Sequence, residues 1–317
     1  MTGLSFAEFV QLTFPGAVIT PLSSTNNEIY KVESEGAVLS AKRMVDADVP
    51  ISYFARCSEI LGASLPVPKV ERIFRTADGA AFDCIVTEFV DGQDLAATLS
   101  GTEPLHIPDE KLLGFLADYL AASAGLPPMF AGFGLYKQDG PRFPSHMDFL
   151  RAYAEKYWRR VRPFVDGAAQ RRVDRWIASG IGAASLAPQG FQPIVVDSNL
   201  RNFIVTGAGE LVLLNVPIVG RSTRAHAVAA IAAHLRPFSV RRPFLDRSTR
   251  GWTGEERAAI AHLEAWTLLG ILSFYAVREP ERPAEWRNWG AVRSLRDDFL
   301  ELIDEVSTPA GSDRRPA

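Results

Sequence analysis

A change of hydrophobic periodicity near Asp91 constrains this chain more than any other feature. From Ile19 to about Val90, short apolar runs are separated by turn residues, which is typical of antiparallel strands. After Gly92 the apolar residues recur at helical spacing over long segments. We therefore predict an α+β, two-lobed fold with a small antiparallel sheet, a larger helical lobe and a ligand-binding cleft between them.

The predicted elements follow this division. In the first lobe we predict strands at 28–33, 37–43, 70–76 and 81–88 and a helix at 51–61. In the second lobe we predict helices at 109–124, 146–165, 168–178 and 255–277 and a hairpin at 203–214. The predicted domains are an N-terminal lobe (1–91), a helical C-terminal lobe (92–306) and a disordered tail (307–317).

The composition excludes several classes of protein. Hydrophobic residues make up 47% of the 317 residues, which is enough for filled cores and unlike a disordered chain. The formal net charge of -3 offers no global positive field for nucleic acid or an anionic membrane. Cys57 and Cys84 lie in apolar sequence without zinc-ligand spacing, so we expect buried thiols in a reducing compartment. With no basic leader and no long apolar run, we expect a cytoplasmic protein.

The segment VVDSNLRNFIV, Val195 to Val205, places a carboxylate and an amide ahead of an apolar strand. Such residues often only cap turns. Here a Gly-Ala-Gly turn and a second apolar run follow, ending at Asn215. In phosphoryl transfer, an aspartate orients the attacking hydroxyl, an asparagine of the same loop binds Mg²⁺, and an acidic residue after a further strand holds the metal. A loop, strand, turn and strand can bring Asp197, Asn202 and Asn215 together in that way.

This segment resembles the catalytic loop H-G-D-x-x-x-x-N of the aminoglycoside phosphotransferase and choline kinase group of protein-kinase-like enzymes. The resemblance implies that Asp197 is the catalytic residue, that Asn202 and Asn215 bind Mg²⁺, and that ATP or another nucleoside triphosphate is the donor. Other landmarks follow in the family's order over roughly residues 15 to 275. The ordered series carries the resemblance more than any single match.

The N-terminal lobe holds the nucleotide-binding residues that the resemblance implies: Ser24, Thr25, Asn26, Lys42, Glu59, Glu88 and Phe89. The run SSTNN resembles the turn that covers the phosphates, and Lys42 resembles the lysine that binds them. The segment IVTEFVDGQDL resembles the hinge that binds adenine through backbone groups. Taken alone, Lys42 is more typical of a surface lysine. Glu59 is the only carboxylate of its predicted helix, and whether it reaches Lys42 stays open.

The sequence departs from the family pattern at positions that bear on activity. Val195 replaces a histidine that braces the catalytic loop, and Asn215 replaces a metal-binding aspartate. A neutral amide offers Mg²⁺ one oxygen and no charge, so this change weakens the metal site. The later GDPxxDLA element reads GRSTRAHAVA. Its Arg221 and Arg224 are expected to be solvated, with binding of an anionic group as the alternative.

Two functions remain open. The first is an ATP-dependent phosphotransferase that moves the γ-phosphoryl group to a hydroxyl of a small molecule or a peptide. The alternative is a pseudokinase that binds a nucleotide, a peptide or a partner protein without efficient transfer. A helical scaffold with incidental Asp and Asn residues leaves the ordered landmarks unexplained. Neither nucleic acid nor a membrane is an expected partner.

Acceptor contacts are expected in two segments, 143–164 and 234–244. In the first, Tyr153, Tyr157, Trp158 and Val161 share a helical face, which is more typical of a core than of a ligand-binding wall. The second includes a basic, aromatic loop that is predicted to be irregular. His226 and His234 lie on a predicted helix at a spacing too long for a metal pair, and packing or surface roles are expected for both.

Overall fold

The order of strands and helices agrees with the predicted two-lobed α+β fold. The computed structural model describes residues 3–22, 28–44, 50–101, 105–137, 140–184, 190–214, 219–288 and 291–307. The strands are β1 (Val18–Leu22), β2 (Ile29–Ser34), β3 (Ala37–Arg43), β4 (Val70–Phe74), β5 (Cys84–Glu88), β6 (Gln93–Asp94), β7 (Gly134–Leu135), β8 (Gln192–Val195), β9 (Phe203–Val205), β10 (Leu211–Leu213) and β11 (Val219–Ser222). The helices are α1 (Phe6–Thr13), α2 (Ile51–Gly62), α3 (Leu95–Ser100), α4 (Asp109–Ala124), α5 (His146–Val161), α6 (Gly167–Arg175), α7 (Ile181–Ala184), α8 (Arg224–Leu235), α9 (Arg241–Ser248), α10 (Gly254–Arg278) and α11 (Leu295–Ser307).

The N-terminal lobe is built on an antiparallel sheet with the strand order β1-β2-β3-β5-β4. The predicted hairpin is confirmed, because β2 pairs with β3 from Ile29 opposite Lys42 to Ser34 opposite Ala37. Gly36 lies in its turn with φ of 80°, a left-handed conformation that favours glycine. A tight turn of this kind fixes which side chains of β3 face the cleft.

One face of this sheet packs against α1, a helix that periodicity had not predicted. Ser5 caps the helix in a reciprocal hydrogen-bonded pair with Glu8. Phe6 and Val10 then pack against the buried strand residues Val32 and Ala41 and their neighbours. Because side chains alternate along a strand, this packing leaves the next residues of β3 and β5 for the opposite face.

The opposite face of the sheet contributes to the main core and to the cleft. Ile85 packs there with Phe54 and Leu61 of α2, in the cluster that continues into the C-terminal lobe. Cys57 and Cys84 are both buried free thiols, as predicted. The sheet therefore presents one apolar face to α1 and one mixed face to the interior of the cleft.

The C-terminal lobe is organised around α10, which packs against α5, α8 and α11. Trp266 of α10 is buried and donates its indole N–H to the Leu150 carbonyl oxygen at 2.9 Å. Among the described residues this helix alone is long and apolar enough to cross a membrane, but most of its apolar window is buried inside the fold. Its burial and hydrogen bonding are those of a core helix.

Some predicted boundaries differ from the observed ones for local reasons. Helix α5 ends at Val161 because Pro163 follows in a 3₁₀ turn, whereas the prediction continued to 165. The loop predicted as irregular contains the start of α9 at Arg241. Helix α11 extends to Ser307, and the rest of the predicted tail, 308–317, lies outside the described residues.

Candidate active site

A cavity of about 700 Å³ lies between the two lobes. Ser40 and Lys42 of β3 and Ile85 and Thr87 of β5 line it from the sheet, because they occupy the strand positions that point away from α1. Residues of α5, α8, α10 and the loop after β8 line the opposite wall. The volume falls within the range of small-molecule sites.

The loop after β8 brings Asp197 and Asn202 together at this cavity. Asn202 donates from its side-chain amide to the backbone oxygen of Asp197 at 3.4 Å and from its backbone to Asn199 at 2.9 Å. The Asn199 side chain in turn accepts from the backbone N–H of Arg201 at 3.0 Å. With its NH₂ group held by the loop, Asn202 has its amide oxygen available as a ligand.

A buried hydroxyl pair supports the loop that holds Asp197. The Ser198 hydroxyl donates to the Val195 carbonyl oxygen at 3.4 Å. Because its proton is used there, Ser198 Oγ accepts from the Tyr119 hydroxyl, which also lies 3.4 Å away. Both residues are almost fully buried, at 1% exposure. Sequence reasoning missed this support, and neither residue has a local pattern that indicates it.

The environment of Asp197 shifts its pKa. The carboxylate is open to the cleft but surrounded by protein, and loss of solvation raises its pKa above the usual value for aspartate. His234, when it is protonated, and the hydrogen bond from the backbone N–H of Asn199 lower this pKa. A raised pKa makes the carboxylate a stronger proton acceptor than a surface aspartate.

His234, on α8, is buried at 4% exposure, as the expected packing role requires, and it also lines the cavity, which the sequence did not indicate. Burial lowers its pKa, so the ring is neutral. Asn288 donates its amide to the Ala233 carbonyl oxygen at 2.7 Å, which leaves its own oxygen to accept from Nδ1 of His234 at 3.3 Å. Nε2 of His234 therefore carries the lone pair of the neutral ring.

Lys42 lines the cavity from β3, and its Nζ lies 5.5 Å from the centre of the Phe54 ring. The pair with Glu59 that the sequence left open does not form. Phe54 and Ser58, one helical turn apart, are the α2 residues that line the cavity, and this rotation leaves Glu59 exposed outside it.

The predicted hinge residues Glu88 and Phe89 both line the cavity. Glu88 accepts from the backbone N–H of Lys69 at 3.2 Å, and Phe89 donates its backbone N–H to Val38 at 3.1 Å. Among the described residues, the backbone N–H of Val90 has no protein partner. The hinge thus offers a backbone donor at the edge of the cavity.

Four predicted site residues cannot be placed. Ser24, Thr25 and Asn26 of the predicted phosphate turn and Asn215 of the predicted metal site lie outside the described residues. Their roles stay predictions.

The first predicted acceptor segment lies partly at the cavity, and the second does so only through His234. Tyr157 and Arg160 of α5 line the wall, whereas Tyr153 and Trp158 of the same helix are buried. One helix therefore provides both core and cleft residues, on different faces.

The arginines of the second segment are used elsewhere. Arg236 and Arg241 form ion pairs with the buried carboxylate of Glu264 instead of lining the cavity. Arg221 and Arg224 stack on the rings of Phe133 and Trp252, at 5.2 and 4.8 Å from the ring centres. Arg224 is exposed, as expected, and Arg221 is partly exposed, so each combines a ring contact with solvation.

Behind the cleft, two buried histidines share one hydroxyl. Ser222 lies 2.6 Å from Nε2 of His146 and 2.8 Å from Nδ1 of His226. Burial lowers the pKa of His146 to about 4 and that of His226 to about 3. Both rings are therefore neutral near pH 7.

These histidines should make the fold acid-sensitive. An unfolded histidine binds a proton near pH 6.5, so below that pH the unfolded state binds more protons than the folded state. The free energy of unfolding should fall as the pH decreases from about 6.5 toward 4, by up to about 1.4 kcal/mol per pH unit for each histidine. Urea titrations between pH 6.5 and pH 4 measure how steeply the free energy of unfolding falls with pH. His226→Asn should make this dependence shallower, whereas His106→Asn, at an exposed position, should leave it unchanged. Equal unfolding free energies at pH 7 and pH 5 would contradict this account.

Comparison with known proteins shows the fold. No protein-family model and no curated protein matches this sequence. Among solved structures, a thermostable mutant of aminoglycoside phosphotransferase APH(4)-Ia is 15% identical, with a TM-score of 0.68 over 96% of this chain and 99% of that chain. A ternary complex of a mutant of the same enzyme with ADP and hygromycin B gives 14% identity and a TM-score of 0.68 over the same shares. A choline/ethanolamine kinase family protein from Mesorhizobium loti is 14% identical, with a TM-score of 0.61 over 96% of this chain and 95% of that chain.

The chain therefore has the aminoglycoside phosphotransferase and choline kinase-like fold, as the ordered landmarks implied. At these identities the likeness defines the fold, and the function has to be argued from the site.

Proposed function

We propose that this protein is an ATP-dependent phosphotransferase that acts on a hydroxyl of a small molecule or a peptide. The observation that carries the proposal is that Asp197 and Asn202 share one loop at a cavity that Lys42 lines from the other lobe. Binding of ADP and hygromycin B by an enzyme of this fold supports a nucleotide together with a hydroxyl-bearing acceptor. The unpaired N–H of Val90 fits the predicted adenine contact.

In this proposal Asp197 orients the acceptor hydroxyl and takes up its proton. The acceptor oxygen forms a bond to the γ-phosphorus of ATP, the bond from that phosphorus to the β–γ bridging oxygen breaks, and ADP leaves with the electron pair. Lys42 binds the α- and β-phosphates. The raised pKa of Asp197 suits it to receive the proton, which then passes to solvent.

The described part of the site fits Mg²⁺ in part. Asn202 presents an amide oxygen and Asp197 a carboxylate, but no group of three His, Cys, Asp or Glu side chains gathers among the described residues. Asn202 and, from the sequence, Asn215 would hold the ion. Mg²⁺ bound there would neutralise charge on the phosphates.

A pseudokinase is the second candidate, favoured by Asn215 at a position where the family has an aspartate. Such a protein would bind a nucleotide, a peptide or a partner protein without efficient transfer. Both candidates can bind a nucleotide, but only the phosphotransferase transfers its γ-phosphoryl group efficiently.

Nucleotide binding should be visible as a rise in melting temperature. Saturating ATP with Mg²⁺ or Mn²⁺ should raise the midpoint by a few degrees, because a ligand that binds only the folded state stabilises it by about 2.7 kcal/mol at 100 times its Kd. Lys42→Ala should reduce the rise, and exposed Lys69→Ala should not. No rise at millimolar nucleotide would contradict both candidates.

Turnover separates the candidates. For a phosphotransferase, slow ADP formation should increase in Asn215→Asp, because a carboxylate binds Mg²⁺ more tightly than an amide. Binding without ADP formation in the native protein and in Asn215→Asp would favour the pseudokinase.

A further inference from the structure

The two walls of the cavity carry different charges. Among the described residues that line it, the carboxylates are Glu88 at the hinge and Asp197 in the catalytic loop. The α5 and α10 wall contributes no carboxylate, and it contributes the guanidinium of Arg160. A cationic acceptor would find no counter-charge among the described residues of α5 and α10 that line the cavity, and Asp197 acts on the hydroxyl in the proposed reaction.

Arg160 has the bonding of a ligand-binding side chain. Among the described residues, Arg160 makes one hydrogen bond, to the hydroxyl of buried Ser273 at 3.4 Å, and no carboxylate of that part of the chain lies within 4.0 Å of it. Other cleft-facing cations have partners, as Arg201 pairs with Asp94 at 3.5 Å. An unpaired guanidinium in a protein-lined cleft is suited to bidentate binding of a carboxylate or a phosphate.

Four aromatic rings line the same cavity as this cation. Tyr157 meets Trp266 edge to face at 5.5 Å between ring centres, and Phe274 lies 5.7 Å from Tyr275. All four line the cavity. Gly270 provides the space for Tyr157, because a Cβ there would lie 3.3 Å from the ring. The wall therefore matches a flat or apolar molecular body as well as an anionic group.

Tyr157 also brings a phenol to this wall, near Arg160. Arg160 lies close enough to oppose the rise that burial causes in the pKa of Tyr157. The neutral phenol and the guanidinium are both donors, and donors bind anions.

Resting on the proposed phosphotransferase function, we infer that the acceptor is an anionic alcohol: a hydroxyl-bearing molecule with a carboxylate or phosphate group on an aromatic or apolar body. Arg160 binds the anionic group, and the rings of α5 and α10 contact the body. This class is opposite in charge to a polycationic amino sugar. The residues that define it belong to the helical lobe, whereas the predicted triphosphate contacts belong to the sheet.

Three alcohols that share a 3-phenylpropane skeleton and differ in charge test the class: anionic 3-phenyllactate, neutral 3-phenyllactamide and cationic phenylalaninol. Isothermal titration calorimetry with Mg²⁺ and a non-hydrolysable ATP analogue should give tighter binding of phenyllactate than of phenylalaninol, by about tenfold or more. Arg160→Gln should remove this preference and leave the neutral probe unchanged. Arg159→Gln, the adjacent exposed arginine outside the cavity, should behave as the native protein does.

Each other result overturns the inference. Equal or tighter binding of phenylalaninol, or no binding of phenyllactate, would exclude an anionic acceptor. Loss of the ATP-induced melting shift in Arg160→Gln would place Arg160 on the triphosphate instead. Absence of that shift in the native protein would instead remove the proposed function itself, so the two failures are distinguishable.

Discussion

Replacing Asp197 with alanine should reduce phosphotransfer by about 10²- to 10⁴-fold, the range that one positioned general base contributes. Asp197 is the carboxylate of the proposed catalytic loop at the cavity, and burial raises its pKa, whereas burial lowers the pKa of His234. The rate of ADP formation with an acceptor measures the loss. Nucleotide binding should persist, because Lys42 and the hinge are unchanged.

Two further variants make this test specific. Asp197→Asn keeps the shape of the side chain and should lose as much activity as Asp197→Ala. Asp246→Asn removes a carboxylate that forms an exposed pair with Arg242, away from the cavity, and should keep full activity. Native-like turnover in both Asp197 variants would exclude it as the catalytic residue.

Glu264→Gln should lower the free energy of unfolding by about 3 kcal/mol, which is a large fraction of the stability of a typical domain. Glu264 is 1% exposed and accepts from Arg241 at 2.7 Å and from Arg236 at 3.4 Å. Removing the carboxylate charge leaves two poorly solvated guanidinium groups without their main counter-charge. The midpoint of urea unfolding measures the change.

The control for this prediction lies on the same helix. Glu255→Gln removes an exposed carboxylate from the first turn of α10 and should change the unfolding free energy by less than about 1 kcal/mol. If Glu264→Gln were as mild as Glu255→Gln, the buried ion pairs would not contribute to stability as their geometry indicates. Arg236 also approaches Asp298 at 3.9 Å, so it keeps one carboxylate nearby when Glu264 is replaced. For this reason we expect a loss of unfolding free energy at the lower end of the range for a broken buried pair.

The loop that holds Asp197 and Asn202 was the part of the proposed site most accessible from the sequence. Asp197, Asn202 and the strand after them lie within a few residues, so a local turn and one side-chain hydrogen bond bring them together. By contrast, Tyr119 supports Ser198 across 79 residues, and no periodicity reports such a contact. The local order of the loop was therefore accessible from the sequence, whereas its long-range support was not.

Helix α2 shows why a correctly predicted helix was not enough to place its side chains relative to the cleft. Its limits were predicted to within one residue, but the assignment of Glu59 depended on which face turns to the cleft. Packing of Phe54 and Leu61 against the core decided that rotation. A helix rotated by one residue turns by about 100°, which separates a cleft residue from a solvent-exposed one.

Sequence by itself determined the two-lobed division and the order of the kinase-like landmarks, because hydrophobic periodicity and short-range spacing are properties of neighbouring residues. Tertiary structure alone decided that His234 and Arg160 face the cavity while Arg236 and Arg241 neutralise Glu264. All four are basic residues on helices or at their ends, and local sequence does not distinguish them. Their roles follow from which helix faces meet when α5, α8, α9 and α10 pack around one core.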